Sequence, residues 1–276
     1  MGADLHIHST YSDGSYKPVE IIKIAKKENI NTVAIADHDT VRGVEEAIVA
    51  GKKNRINIIP ALELSTFRGK AEIHILGYHI NYMDKRLLAK IKEIFTARIT
   101  RARKMVELLN KNGINITFNQ VKSIADDDYI GRPHIARAMV EAGYIDKIAD
   151  AFTADYIGNG GKAYVSKYKI SPKEAITIIK EAGGISVLAH PVFINHGQSM
   201  IRDDIQELLD HGLQGLEVYH SKHSNQDSAY YKKIAEEFNL LITGGSDFHG
   251  ENSPGVKIGD VVLADKYVNK LNNFKN

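Results

Sequence analysis

The chain has 276 residues, 43% of them hydrophobic and 25% charged, with 36 Lys and Arg against 34 Asp and Glu for a formal net charge of +2. That length suits one large α/β domain or a domain carrying an insertion, and it excludes a small stapled scaffold. The near balance of charge argues against long nucleic acid held by bulk electrostatics, and the absence of Cys excludes disulfides, thiolate metal sites, iron–sulfur clusters and cysteine nucleophiles.

Any metal must therefore be held by His, Asp and Glu, and the chain has 12 His. No stretch approaches about 18 uninterrupted apolar residues, and no basic leader precedes an apolar core. The expectation is a cytoplasmic protein with no membrane contact.

Short apolar runs alternate with amphipathic stretches through the first eighty residues. Ala3 to Ile7, Thr32 to Ala36 and Ile56 to Leu62 read as strands, and Pro18 to Glu28 and Val44 to Lys53 as helices, with Pro18 suited to a first helical position. Ala71 to Tyr78 reads as a further strand. From Asp84 the rhythm changes to a long Lys/Arg-rich helix, Leu87 to Asn112, ending at Gly113. Helical segments at Pro133 to Ala142 and Ile145 to Phe152 follow, then the Gly-rich turn Gly158-Asn159-Gly160-Gly161.

After Ser171-Pro172 the alternation resumes. A helix runs to Ala182, a strand over Ile185 to Ala189, a helix to His211 and a strand over Leu216 to Tyr219. A helix at Asp227 to Phe238 and a strand at Leu240 to Thr243 complete the series. Repeated strand-then-helix units imply a parallel sheet, and about seven strands favour a barrel. The expected division is a barrel domain of residues 1–83 and 166–276, with a helical insertion at 84–165.

His, Asp and Glu recur at the ends of these strands. His6 and His8 end the first, Asp37-His38-Asp39 follows the second, Glu63 the third, and His74 lies in the fourth. His190 ends the run at Ile185 to Ala189, and Asp247 and His249 follow the last strand. In a parallel α/β barrel the carboxyl ends of the strands share one face, so residues remote in sequence can converge there. Residues two apart in a strand point to the same side, which lets His6 and His8 share an ion. Each element alone has a plainer reading: strand histidines, a capping turn at Asp39, a surface Glu63. Their joint recurrence is explained by a metal site. Imidazole and carboxylate ligands suit Zn²⁺, Mn²⁺ or Fe²⁺, and so many donors imply two or three ions.

The segments Asp4 to Gly14, Ala34 to Thr40, Pro60 to Glu63, His74 to Gly77, Leu188 to Pro191 and Gly245 to His249 resemble, in order, the motifs of the polymerase-and-histidinol-phosphatase (PHP) phosphoesterase superfamily. That resemblance implies a distorted (β/α)7 barrel with a trinuclear centre. By analogy, His6, His8, Glu63 and Asp247 hold one ion, Glu63, His74 and His190 a second, and Asp13, His38 and His249 a third.

Gly131-Arg132-Pro133-His134 opens a helix whose free N–H groups, with Arg132 and His134, could bind an anion. Arg132 as a rim ion pair and His134 as a cap are the plainer alternatives. With Ala163 to Lys167, this segment resembles the branch that removes the 3′-phosphate from nucleoside 3′,5′-bisphosphates or degrades short RNA from its 5′ end, its insertion capping the barrel mouth. The resemblance implies a small phosphorylated nucleotide or short oligonucleotide as substrate, with Arg132, His134 and Lys167 as phosphate contacts, and His223, in a segment that follows a strand and should overhang the same mouth, is a further candidate contact. Asp247, His190 and Arg132 are the catalytic candidates. His220 reads as a hydrogen bonder beside a ligand, Asp37 and Asp39 as orienting groups, and His79, His196 and His211 as surface or packing residues. The basic helix face with Arg98, Arg101, Arg103 and Lys104 reads as solvated rather than as an RNA groove. A histidinol-phosphate-type phosphatase, a non-catalytic metal-binding barrel and a metal-dependent amidohydrolase or deaminase are the alternatives.

Overall fold

The structure is a computed structural model and describes residues 2–125, 130–194 and 199–274. The first strand, β1 (Gly2–Ile7), leads to α1 (Pro18–Lys27), β2 (Ile30–Ile35), α2 (Val44–Asn54), β3 (Asn57–Ile58), β4 (Ala61–Arg68) and β5 (Ala71–Tyr78). A helical stretch follows: α3 (Lys85–Lys111), α4 (Phe118–Ile124), α5 (Arg132–Glu141) and a 3₁₀ turn at Ile148–Phe152. The chain then runs through α6 (Pro172–Glu181), β6 (Ile185–Leu188), α7 (Arg202–Asp210), β7 (Gly215–His220), α8 (Asn225–Glu237) and β8 (Leu241–Gly245). A 3₁₀ turn at Gly250–Asn252, β9 (Leu263–Ala264) and α9 (Asp265–Asn272) close it. Among the described residues no helix is long and apolar enough to cross a membrane.

Two compact units emerge, Met1–Ala89 with Lys169–Asn276, and Lys90–Tyr168. In the larger, the strands fall into two sheets, β3-β2-β1-β9 and β4-β5-β6-β7-β8. Among the described residues no single closed ring of ladders is formed. Isolated bridges pair Ile7 with Phe248 and His38 with Glu63. The strands β1, β2, β6 and β7 are buried almost throughout, as expected where helices cover a sheet. Ile21, Ile22 and Ala25 of α1 and Ala47 and Ala50 of α2 pack with Ile7, Val33 and Ile35.

The expected parallel sheet is corrected to a mixed one. β5 runs antiparallel to both β4 and β6, and β9 antiparallel to β1, while β1–β2, β2–β3, β6–β7 and β7–β8 are parallel. The cause is local. Only Gly69 and Lys70 separate β4 from β5, with Gly69 at φ +63°, and so short a connection closes a hairpin, whereas a parallel crossover needs a dozen or more residues. The expected strand Ile56 to Leu62 is likewise split, because Pro60 lacks an N–H and restricts the residue before it. Glu63 therefore lies within β4 rather than after a strand.

The smaller unit has its own core. Ala102, Met105, Val106 and Leu109, one face of α3, pack with Val121, Ile135, Ala136, Met139, Ala151, Ile157 and Ala163. Its basic residues are partly engaged within the unit: Arg101 Nε donates to Val165 O at 2.7 Å, and the Arg103 guanidinium lies 4.0 Å from the centre of the Phe118 ring.

Gly245 is where β8 meets β1. A Cβ there would stand 2.3 Å from the His6 nitrogen and 2.8 Å from its Cα, both backbone atoms that can yield only if the strand moves. Gly245→Ala is expected to cost about 1–3 kcal/mol and to weaken metal binding through displacement of His6. Denaturant unfolding with a parallel metal titration measures both, and an unchanged midpoint would show that β1 does not depend on this approach.

Candidate metal centre

Glu63 is the hub. Its carboxylate is 1% exposed, and five imidazoles face it. His74 Nδ1 and His190 Nε2 each lie 3.1 Å from Oε1. His38 Nδ1 stands 2.9 Å, His8 Nε2 3.4 Å and His6 Nε2 3.5 Å from Oε2. The β4–β5 register explains one of these contacts: His74 is opposite Ser65, so Glu63 and His74 are diagonal neighbours on one face of the hairpin. Asp247 Oδ1 lies 3.3 Å from His8 Nε2 and 3.6 Å from His6 Nε2. Asp13 Oδ1 lies 3.3 Å from His249 Nε2, and Asp13 Oδ2 3.7 Å from His38 Nε2.

The loops that carry these groups are held in demanding backbone conformations. Asp39, His190 and Asp247 have φ of 54°, 23° and 56°, the left-handed region that non-glycine residues adopt only when their surroundings fix them. Asp39 N donates to Glu63 O at 2.8 Å, and Asp247 N to His6 O at 2.8 Å. His190 N donates to Glu217 Oε2 at 2.7 Å. Buried Asp4 accepts from Ser246 N at 2.9 Å and Gly259 N at 3.1 Å, and burial raises its pKa to about 6 despite those bonds.

Asp37 and Asp39 orient the segments that carry the imidazoles and carboxylates. Asp37 accepts from Ser9 N, Ser9 Oγ and Ser12 Oγ, ordering the turn before Asp13. Asp39 accepts from Ser65 N at 3.0 Å and does not cap α2, whose N-cap is Gly43.

The geometry fits cations. Ligand atoms about 2.0–2.2 Å from one ion stand roughly 3–3.5 Å from one another, the range observed here. His38 Nδ1 and Glu63 Oε2 are 2.9 Å apart, yet among the described residues neither has a hydrogen-bond partner, and buried Asp13 Oδ1 has none either. Buried polar atoms are normally paired, so lone pairs turned on a shared space point to an ion as their partner. Four sets of donors converge: His8, Asp13, His38 and His249; His6, His220 and Asp247; His6, His8 and Glu63; and His38, Glu63 and His74.

His38, expected beside Asp13 and His249, thus also faces Glu63, and His190, whose Nε2 meets Glu63 Oε1, stands in none of these four sets. Glu217 was missed, and His220, read as a hydrogen bonder, also stands among the donors. His220 enters a donor set, and Glu217, fully buried, accepts from His6 Nδ1 at 3.0 Å. That bond leaves His6 Nε2 as the lone pair, a standard arrangement for a ligating histidine. The available signal was that both residues lie on a strand ending beside other candidate ligands.

Electrostatics couple the set. Burial would disfavour the Glu63 anion, but His74, His38 and His6 hold its pKa well below the usual range. Burial likewise opposes charge on His6, yet Glu217, Glu63 and Asp247 raise its pKa well above the ordinary value. His74 is similarly pushed up to about 10 by Glu63 and Glu72 against burial. For His190 burial prevails and the pKa is lowered.

The remaining sequence candidates separate. His223 Nδ1 donates to Val218 O at 2.9 Å, and burial lowers its pKa. In the smaller unit, Arg132 Nη1 donates to Ile157 O at 3.3 Å and to Asn159 Oδ1 at 3.1 Å, and its guanidinium is 5.3 Å from the Phe152 ring centre. The Gly-rich turn thereby steadies Arg132. Gly131 N donates to His134 Nδ1 at 3.0 Å, so His134 caps the helix while Nε2 keeps the proton as a donor. Burial lowers its pKa, with Arg137 adding to the effect. Lys167 is exposed. His79 and His211 are partly buried outside the centre, and His196 lies outside the described residues.

A PHP domain family model matches residues 4–186. The chain is 33% identical over 246 residues to a 5′-3′ exoribonuclease of Haemophilus influenzae, covering 89% of both chains. It is 33% identical over 257 residues to a 3′,5′-nucleoside bisphosphate phosphatase of Chromobacterium violaceum, covering 93% of this chain and 90% of the relative. A solved structure from Bifidobacterium adolescentis, provisionally described as a metal-dependent phosphoesterase, aligns with a TM-score of 0.85 at 31% identity, over 98% of this chain and 95% of that one.

The raised histidines set a pH signature for the chelated protein. Between pH 6.5 and about 10 the folded state keeps a proton on His74 that the unfolded chain releases, so stability is full below this window and falls as pH rises through it. Thermal melts in EDTA are expected to show that decline, and stability rising across the window would refute the protonated cradle.

Proposed function

The chain belongs to the PHP domain family, and from that premise we propose that this phosphoric ester hydrolase acts on nucleotides. Its proposed substrates are the 3′-phosphate of nucleoside 3′,5′-bisphosphates, short 5′-phosphorylated RNA, or both. The observation that carries this reading is the convergence of imidazoles and carboxylates, with unpaired buried acceptors, around Glu63. The two relatives, a bisphosphate phosphatase and an exoribonuclease, support the choice of substrates. We read the two sheets as the wall of a distorted (β/α)7 barrel, because bridges at Ile7–Phe248 and His38–Glu63 would link β1, β2, β4, β5, β6, β7 and β8 in a ring.

Two or three divalent ions, Mn, Fe or Zn, suit the all-nitrogen-and-oxygen donor set. His6, His8, Glu63 and Asp247 would hold one, Glu63, His74 and His190 a second, and Asp13, His38 and His249 a third. When bound, such ions supply a water of lowered pKa and offset charge on the phosphoryl oxygens. Asp247, held ionised because His6 and the His220 and His8 contacts outweigh burial, accepts a hydrogen bond from the attacking water and orients it. Arg132, His134 through Nε2–H, Lys167 and His223 are assigned to phosphate oxygens. No covalent enzyme intermediate is needed.

Inorganic phosphate release in Mn²⁺ is expected from 3′,5′-bisphosphoadenosine and to exceed release from histidinol phosphate, and release of 5′-mononucleotides from a 5′-phosphorylated oligonucleotide, read by chromatography, is the third arm. Faster turnover of histidinol phosphate would replace this reading, and no release from any arm would reject it. His6→Ala with His8→Ala should abolish turnover and remove bound metal. Arg132→Ala, losing a charge-assisted hydrogen bond, should lower kcat/KM by about ten- to a hundredfold with metal content unchanged, and an undiminished kcat/KM would exclude it as a phosphate contact.

A further inference from the structure

β7 ends in a histidine that the ligand pattern does not use. His220 is 4% exposed, and its Nε2 points into the cradle, 3.3 Å from Asp247 Oδ2. Distance alone groups it with His6 and Asp247 as a further metal ligand. The other ring nitrogen argues otherwise. His220 Nδ1 accepts a hydrogen bond from Lys222 N at 3.1 Å. A backbone N–H can only donate, so Nδ1 carries the lone pair, and the neutral imidazole bears its proton on Nε2. A protonated Nε2 has no lone pair for a cation.

His6 has the opposite pattern, since its Nδ1–H is directed at Glu217 and its Nε2 is turned on His8 Nε2, 3.1 Å away among the cradle's donors. In His249 the Nδ1–H goes to Asp247 O at 2.9 Å, again leaving Nε2 as the lone pair. The Asp247 carboxylate is thus divided. Oδ1 faces His6 and His8 among the ligands, and Oδ2 faces His220. Because Nε2 is buried without a hydrogen-bond partner among the described residues, its N–H is available to Oδ2 as soon as the carboxylate turns slightly.

We propose that His220 is a positioning residue, not a metal ligand: its Nε2–H, fixed by the Lys222 amide, holds Asp247 Oδ2 and presents Oδ1 to the ion. Glu217 and His220 then make β7 an orienting strand, one acting on the first histidine motif and the other on the last aspartate. The inference rests on the metal-dependent reading of the site, but its decisive measurement does not use turnover.

Two-bond ¹H–¹⁵N spectra of the histidine-labelled protein report each ring's tautomer, with and without Zn²⁺. The expected result is a His220 ring protonated at Nε2 and unprotonated at Nδ1 in both states, while the His6 Nε2 resonance moves on zinc addition. His220→Ala should lower zinc affinity about 10- to 100-fold without changing the number of ions bound at saturation. His220→Gln, which retains an N–H near the same place, should recover most of that affinity. A Nδ1–H tautomer, a zinc-shifted His220 Nε2, or loss of one ion per chain in His220→Ala would each make His220 a ligand and overturn the proposal. The wild-type spectra decide the matter even if the alanine variant fails to fold. Should tautomer and zinc count come out as expected while no phosphate ester is hydrolysed, the enzymatic reading fails and the positioning role stands.

Discussion

A carboxylate buried among five imidazoles is an electrostatic demand that the rest of the larger unit is built to meet. Removing a carboxylate from water costs several kcal/mol even after relaxation, so Glu63 must be matched by positive charge, whether protons on its neighbours or bound cations. This makes proton and metal occupancy alternatives for one space, and links affinity to pH. It also explains why the loops around the centre tolerate left-handed aspartates and a strained histidine. Each is tied by a backbone hydrogen bond to a neighbouring strand end or to a buried carboxylate, so the strain is borne by the frame rather than by the ligands.

Most of this centre was legible in the sequence, because ligands tend to gather at strand ends and the His-x-His and Asp-x-His spacings place pairs on one side. The order of strands and helices was legible for the same reason, since period-two and period-3.6 patterns were distinct. Strand direction was not. Gly69-Lys70 lies between two apolar runs and marks a hairpin, but its effect on the sheet appears only when the flanking strands are known to pair. Pro60 should have divided the run at Ile56 to Leu62, and with it would have come the placement of Glu63 inside a strand.

Glu217 and His220 were hard to value because their partners are remote. Glu217 meets His6 across 211 residues and His190 across 27, and no local spacing encodes such contacts. The tautomer of His220 depends on an amide two residues on, a feature of the turn and not of residue identity. In the smaller unit the capping reading of His134 in Gly-Arg-Pro-His is met. His134 caps its helix through one nitrogen and keeps a donor on the other, and Arg132 is braced by the glycine turn while lying beside an aromatic ring.

The β4–β5 hairpin has a consequence for how the centre comes together. Glu63 and His74 are only eleven residues apart, so joining them carries a far smaller loop-closure cost than bringing in Asp247 or His249 from the other end of the chain. The two-stranded ribbon therefore supplies a seed with a carboxylate and an imidazole already side by side. The other candidate donors reach that pair only by closing longer loops, the longest of them to Asp247 and His249.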